Sequence, residues 1–200
     1  MFKKENNLKK LANIFSSLPG IGAKSAWKLV FHILTLDKEK VLKLTNTILN
    51  VHEKTKRCLI CQNLTEDDVC DICKDEKRNK DVICVVETPK DVMAFENSNS
   101  FSGRYHVLHG LISPMHGIGP KQLTIKQLIL TIKKNKNIKE IILATSPTTE
   151  GEATAMYIAK LIKPLNILIT RIAYGMSVGS EVQYADNITI LKAIENRNKI

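Results

Sequence analysis

Cys58-Leu-Ile-Cys61 and Cys70-Asp-Ile-Cys73 are two CxxC pairs separated by eight residues. Each tight turn aims two sulfurs to one side, and a loop of this length lets the turns meet, so four thiolates can enclose one tetrahedral ion. Zn2+ is the expected occupant, one per chain. With four Cys ligands and no His beside them, no position remains for a catalytic water, so the metal is expected to be structural. Two disulfides are the alternative pairing, and they suit a secreted chain; this one lacks a secretory signal, which points to a reducing compartment. The intervening Gln62-Asn-Leu-Thr-Glu-Asp-Asp-Val69 is too polar to fold by apolar burial, whereas structural zinc contributes about 10 to 16 kcal/mol of apparent binding energy in small zinc peptides. The fifth cysteine, Cys84, lies within Val82-Ile-Cys-Val-Val86 and reads as a small hydrophobe in a buried strand.

A second chemistry-bearing stretch is Leu18-Pro-Gly-Ile-Gly-Ala-Lys-Ser25. Gly20 and Gly22 let a backbone approach closely, and the free N–H groups and dipole of the helix that follows favour an anion. Lys24 and Lys28, one turn apart, add positive charge on the same face. The arrangement resembles a helix-hairpin-helix motif, which grips DNA phosphates without reading bases; an ordinary helical hairpin with a Gly turn is the plainer alternative. A nucleotide-binding P-loop is excluded, because GxxxxGK[ST] requires Gly directly before Lys and a strand before the loop.

Carboxylates form the third group: Glu87 with Asp91, and Glu150 with Glu152 in Thr148-Thr-Glu-Gly-Glu152. Both pairs follow segments that read as strands. They resemble the acids of Toprim domains in primases, topoisomerases and related nucleases, where an acid after the first strand and an Asp-x-Asp after a later one hold magnesium. Here the second element is Glu-Gly-Glu, displaced into a loop and helix start, where the helix dipole stabilises carboxylates without any metal. The four acids are therefore expected to serve partner docking and local structure, with no catalytic residue among them.

The elements that must carry these groups follow from periodicity. Residues 8–17 place Leu8, Leu11, Ile14 and Phe15 at helical spacing, and residues 23–34 do the same through Ala26, Trp27, Val30, Ile33 and Leu34. Residues 37–57 are expected to continue as one helix, with Val41, Leu42, Leu44, Ile48, Leu49 and Val51 as a core-facing stripe. Beyond a charged connector at residues 74–80, strands at 82–86, 105–108, 140–144 and 167–172 alternate with helices beginning at Pro89, at Thr124 and at Glu152. That order predicts an α/β protein whose mostly parallel sheet is covered by helices, with functional groups at the carboxyl ends of the strands, near Glu87, His109, Thr145, Ser146 and Arg171. The expected division is a helical module at 1–57, a zinc finger at 58–73, a sheet domain at 81–175 and a tail at 176–200.

Charge is uneven along the chain. Of the formal +10, residues 1–57 carry 12 basic and 4 acidic groups, so the helical module is the part suited to a polyanion. No apolar run approaches the length of a membrane span, and the chain is expected to be soluble, cytoplasmic and nucleoid-associated.

Taken in order, the Leu-Pro-Gly-Ile-Gly-Ala-Lys-Ser-Ala hairpin, the four cysteines, Val85-Val-Glu-Thr-Pro-Lys-Asp-Val92, Tyr105-His-Val-Leu-His-Gly-Leu-Ile-Ser-Pro-Met-His-Gly-Ile-Gly-Pro120, Thr148-Thr-Glu-Gly-Glu-Ala-Thr-Ala155 and Thr170-Arg-Ile-Ala-Tyr-Gly175 resemble the RecR family of bacterial recombination mediators over nearly the whole chain. The resemblance implies helix-hairpin-helix, four-cysteine zinc finger, Toprim domain and a C-terminal tail that pairs subunits, with four subunits forming a homotetrameric ring able to surround duplex DNA. It implies partnership with RecO and RecF in loading the RecA recombinase at gapped DNA during DNA repair. Ser146, Ser180 and Gln183 stand where the family more often has Asn, Gly and Glu. Two other classes fit parts of the sequence: a metal-dependent Toprim nuclease or primase using Glu87, Glu150 and Glu152, and a zinc-ribbon adaptor that binds protein alone. The absent Asp-x-Asp counts against the first, and the basic glycine hairpin against the second.

Overall fold

The computed structural model describes residues 6–197 and divides into two compact units, one ending at Thr55 and one beginning at Lys56. The first contains three helices, α1 (Asn7–Ser16), α2 (Ala23–Thr35) and α3 (Lys38–Lys54). Asn6 caps α1 by accepting from the Lys9 N–H at 3.0 Å, and Asp37 caps α3 by accepting from the Lys40 N–H at 2.8 Å, so two side chains satisfy amides that helix starts leave orphaned. α1 packs on α2, and the small core of this unit is Ala12, Ala26 and Val30.

α3 departs from expectation in two ways. It stops at Lys54, and Lys56–Arg57 form a strand instead of a last helical turn. Its apolar stripe is not core: α3 has no buried residue, and Leu42, Leu44, Ile48, Leu49 and Val51 are between 42% and 59% exposed. Periodicity reports which face is apolar, but it does not report whether the chain itself supplies something to cover that face.

The second unit opens with a two-stranded antiparallel ribbon, β1 (Lys56–Arg57) with β2 (Leu64–Thr65), and a single turn, α4 (Asp71–Lys74). The remainder holds β3 (Val82–Val86), α5 (Pro89–Ser98), β4 (Arg104–Val107), α6 (Ile125–Lys134), β5 (Glu140–Leu143), α7 (Thr149–Ile162), β6 (Leu168–Arg171) and α8 (Asn187–Glu195). The sheet has the order β4-β3-β5-β6 and is parallel throughout. β3 and β5 are central, as the unbroken apolar runs Val-Ile-Cys-Val-Val and Ile-Ile-Leu require of strands buried on both faces.

Alternation along β3 divides the core. Ile83 and Val85 join Leu128 and Ile132 of α6 and Ile158 and Ile162 of α7 on one face. Cys84 and Val86 join Val92, Tyr105 and Val107 on the other, with Phe95 and Phe101 packed against them. Cys84 is thus the packed hydrophobe its strand implies, and burial pushes its thiol up to about 12. Because all four strands run the same way, residues after β3, β4, β5 and β6 meet along one edge of the sheet.

Candidate functional site

Cys58, Cys61, Cys70 and Cys73 come together with all four sulfurs within 4.8 Å of one another, and all four are buried. A tetrahedral ion with metal–sulfur bonds of about 2.3 Å has sulfur–sulfur edges of about 3.8 Å, so this cluster fits zinc. The knuckles are shaped by the backbone: Cys58 N–H donates to the Asn63 carbonyl at 2.7 Å, Gln62 N–H returns to the Cys58 carbonyl at 3.0 Å, and Cys70 N–H donates to the Cys58 sulfur at 3.3 Å. Hydrogen bonding from Cys61, then from Cys73, pulls the Cys70 thiol down to about 2, and the same shared proton pushes Cys61 up. A divalent cation bound among these sulfurs would displace the protons they share. A donor set of four buried sulfurs with no vacant position makes the Zn2+ structural.

The zinc unit is docked on the edge strand of the sheet. Val107 N–H in β4 donates to the Cys61 carbonyl at 2.8 Å, and His109 Nε2 donates to the Gln62 carbonyl at 2.6 Å. Gln62 and His109 both have positive φ, 63° and 62°, a conformation uncommon outside glycine that surrounding contacts must hold in place. Ile72 bridges the cysteine cluster and the β4 face of the core. In the sequence His109 stands out only as a strand-end residue; its partner lies 47 positions away, and no local signal joins them.

In the helical unit, Gly20 has φ +80° and so belongs where a side chain is strained. Gly22 is the N-cap of α2 with ordinary φ −80° and no side-chain cap bond, and a Cβ at either glycine would meet open space. No crowding within the described chain asks for glycine at position 22. The first amides of α2 therefore face outward beside exposed Lys24 and Lys28.

The four acids do not converge. Among the described residues, the cysteine quartet is the set of three or more candidate ligands whose donor atoms approach within 4.8 Å. Asp91 closes a capping box on α5, accepting from Thr88 N–H at 2.7 Å and from Thr88 Oγ1 at 3.0 Å. Glu87 accepts from the Ser146 N–H. Glu150, Gly151 and Glu152 all lie inside the first turn of α7, which begins at Thr149 and not at Glu152 as expected, with Thr148 as N-cap accepting from Gly151 N–H at 3.1 Å. Glu152 Oε1 pairs with Arg171 Nη2 at 2.9 Å.

Gly151 separates the acids for a steric reason. A Cβ there would sit 2.1 Å from the Ser146 carbonyl oxygen and 2.8 Å from its Oγ. The same close approach lets buried Thr145 donate to the Gly151 carbonyl at 2.9 Å. A glycine between two acids is the one signal in the sequence that this turn is pressed against another backbone.

The modules also match known families in the same order. Residues 8–52 match the family described as RecR, helix-hairpin-helix; 55–75 match the RecR zinc finger domain of the four-cysteine type; 81–173 match Toprim domain; and 175–198 match RecR, C-terminal. The chain is 47% identical over 191 residues to "Recombination protein RecR" of Heliobacterium modesticaldum, covering 96% of both chains. It is 48% identical over 193 residues to the protein of the same name in Clostridium perfringens, again covering 96% of both, and 46% identical over 193 residues to that of Lacticaseibacillus casei, covering 96% of this chain and 97% of the other. These names denote a recombination protein and state no enzymatic activity. No helix among the described residues is long and apolar enough to cross a membrane. With four modules in one order and almost half of all positions identical from end to end, the chain belongs to the RecR family of recombination proteins.

Proposed function

We propose that this protein is a non-enzymatic mediator of recombinational DNA repair that holds DNA by its phosphate backbone. The observation that carries the reading is the α1–α2 hairpin. Gly22 has open space where a side chain would go, the first amides of α2 lack an internal cap, and Lys24 and Lys28 stand exposed beside them. Such a surface accepts phosphates of any sequence, because amides and lysines contact oxygens common to every nucleotide. The excess of basic residues before position 58 adds long-range attraction.

The finer reading is a ring of four subunits around duplex DNA, acting with RecO and RecF to load RecA at gaps. The chain divides in this reading into residues 1–57, 58–73, 81–175 and 176–200, with the zinc as a structural ion, the acids as a docking patch and the tail as a pairing element. Two apolar surfaces support self-association: the α3 stripe, and Val182, Tyr184, Ile188, Leu191 and Ile194 of the tail, each more than half exposed. Exposure on that scale in an isolated chain is relieved by a partner surface.

The competing reading is a Toprim nuclease or primase. Incubating the zinc-loaded protein with gapped and nicked DNA and Mg2+ separates the two. Binding without strand cleavage or synthesis is expected; magnesium-dependent cleavage lost on Glu150→Gln/Glu152→Gln substitution identifies an enzyme instead.

A further inference from the structure

Arg171 ends β6 and reaches across β5 into the connection between β5 and α7. Its Nη1 donates to the Leu143 carbonyl at 3.0 Å and to Thr145 Oγ1 at 2.7 Å. Its Nη2 donates to the Ser146 carbonyl at 3.1 Å and to Glu152 Oε1 at 2.9 Å. All four terminal N–H bonds of the guanidinium are thus matched by oxygens, one from the end of β5, two from the loop after it and one from a carboxylate, while the fifth N–H, at the buried Nε, has no partner among the described residues. The Tyr174 ring stands 5.0 Å from the guanidinium carbon, and its hydroxyl donates to the Thr145 carbonyl at 2.7 Å, fixing the loop beside Arg171.

A hard divalent cation would seek the same kind of surroundings, namely carbonyl and hydroxyl oxygens together with carboxylates. We propose that the Arg171 guanidinium stands in for a divalent cation at this strand edge and keeps the acid loop metal-free. The charge of Glu152 is already compensated, and the loop oxygens are already engaged. Glu87 is held through Oε1 by the Ser146 amide and Asp91 through Oδ2 by its capping box, so each carboxylate is turned to a donor of its own. Magnesium gives up its water reluctantly and demands a near-octahedral oxygen shell, so a planar cation covalently held in place wins this competition. Arg171 is on this view a positioning residue: it orders the β5–α7 loop and fixes Glu152, while Glu150 in the same turn has no ion pair or side-chain hydrogen bond among the described residues.

The test is Mn2+ titration of the zinc-loaded protein, reading free Mn2+ by electron paramagnetic resonance. The wild type is expected to show no saturable binding that Glu152→Gln removes. Arg171→Met, which keeps bulk and removes charge, is expected to bind Mn2+ at least on the order of tenfold more tightly, and adding Glu152→Gln is expected to abolish that gain. Saturable wild-type binding of Mn2+ that Glu152→Gln abolishes overturns the proposal, and this arm needs no substitution of Arg171. A folded Arg171→Met protein with no gain also overturns it, and Arg171→Gln serves in its place where circular dichroism shows the Met variant unfolded. The inference rests on reading the acid loop as non-catalytic, and gapped DNA added to the wild-type titration separates the two: Mn2+ binding without cleavage refutes the role of Arg171 alone, whereas cleavage refutes both.

Discussion

The Val107 backbone N–H donates to the Cys61 carbonyl at 2.8 Å, so a metal knuckle covers part of the outer edge of β4. An open strand edge invites pairing with other chains. In this fold, zinc therefore supports the sheet domain as well as the loop that binds it.

Metal analysis should find about one zinc per chain. Stripping the metal, or Cys70→Ser, should lower the melting temperature and reduce solubility. Hydrogen exchange should accelerate at the Val107 amide, beyond the zinc loop itself. A metal-free protein of unchanged Tm would contradict the structural role.

Gly151→Ala should destabilise the folded protein by about 1 to 3 kcal/mol, since the added methyl meets a backbone carbonyl that cannot move without shifting the strand-end loop. Gly22→Ala should cost less than about 1 kcal/mol, as the methyl enters open space at an N-cap, yet it should weaken DNA binding. Urea midpoints at unchanged m-value measure the first effect, and fluorescence anisotropy with labelled duplex measures the second.

Lys24→Ala combined with Lys28→Ala should weaken binding to unrelated DNA sequences alike. It should flatten the dependence of log K on log salt by up to about 0.9 per lost phosphate contact. A strong sequence preference, or an unchanged slope in a folded variant, would count against backbone recognition.

Stability should fall on acidification. Burial pulls His106 from its ordinary value down to about 4, with its Nε2 held against Thr124, and burial lowers His109 as well. Between pH 6.5 and about 4 the unfolded chain binds the proton and the folded chain refuses it, so stability is complete above 6.5 and is lost as pH falls through that window. The His106 contribution is on the order of 3 kcal/mol. Denaturant midpoints taken from pH 7 to pH 4 should show the decline, and His106→Asn should flatten it.

The two acids of Glu-Gly-Glu should separate by role. Glu152→Gln removes the ion pair with Arg171 and should loosen the β5–α7 loop, seen as faster exchange at the Gly151 amide. Glu150→Gln should leave stability unchanged while weakening association with a basic partner, RecO in the proposed function, in a salt-sensitive manner. Binding of DNA by the isolated protein should respond to neither.

The zinc site, the glycine hairpin, the βα alternation and the family were all written in the sequence, because each is a short-range pattern. Two CxxC turns, Gly20 at a positive φ, and apolar runs of four or five residues are local consequences of backbone geometry and strand burial. The fate of the acids was not written there. Whether Glu87, Asp91, Glu150 and Glu152 converge on an ion or turn to other partners depends on which donors the fold places beside them. Two of those donors, the Ser146 amide and Arg171, are brought beside Glu87 and Glu152 by the parallel register of β3, β5 and β6, whereas the Thr88 cap on Asp91 is a contact within the start of α5. In the same way the apolar face of α3 was legible while its exposure was not, since periodicity is a property of one helix and burial is a property of what packs on it. His109 reaching Gln62, and Gly151 pressed against Ser146, are contacts between segments far apart in the chain or folded back on themselves. Tertiary structure alone decides these, because it sets which backbone atoms come within hydrogen-bonding or van der Waals distance.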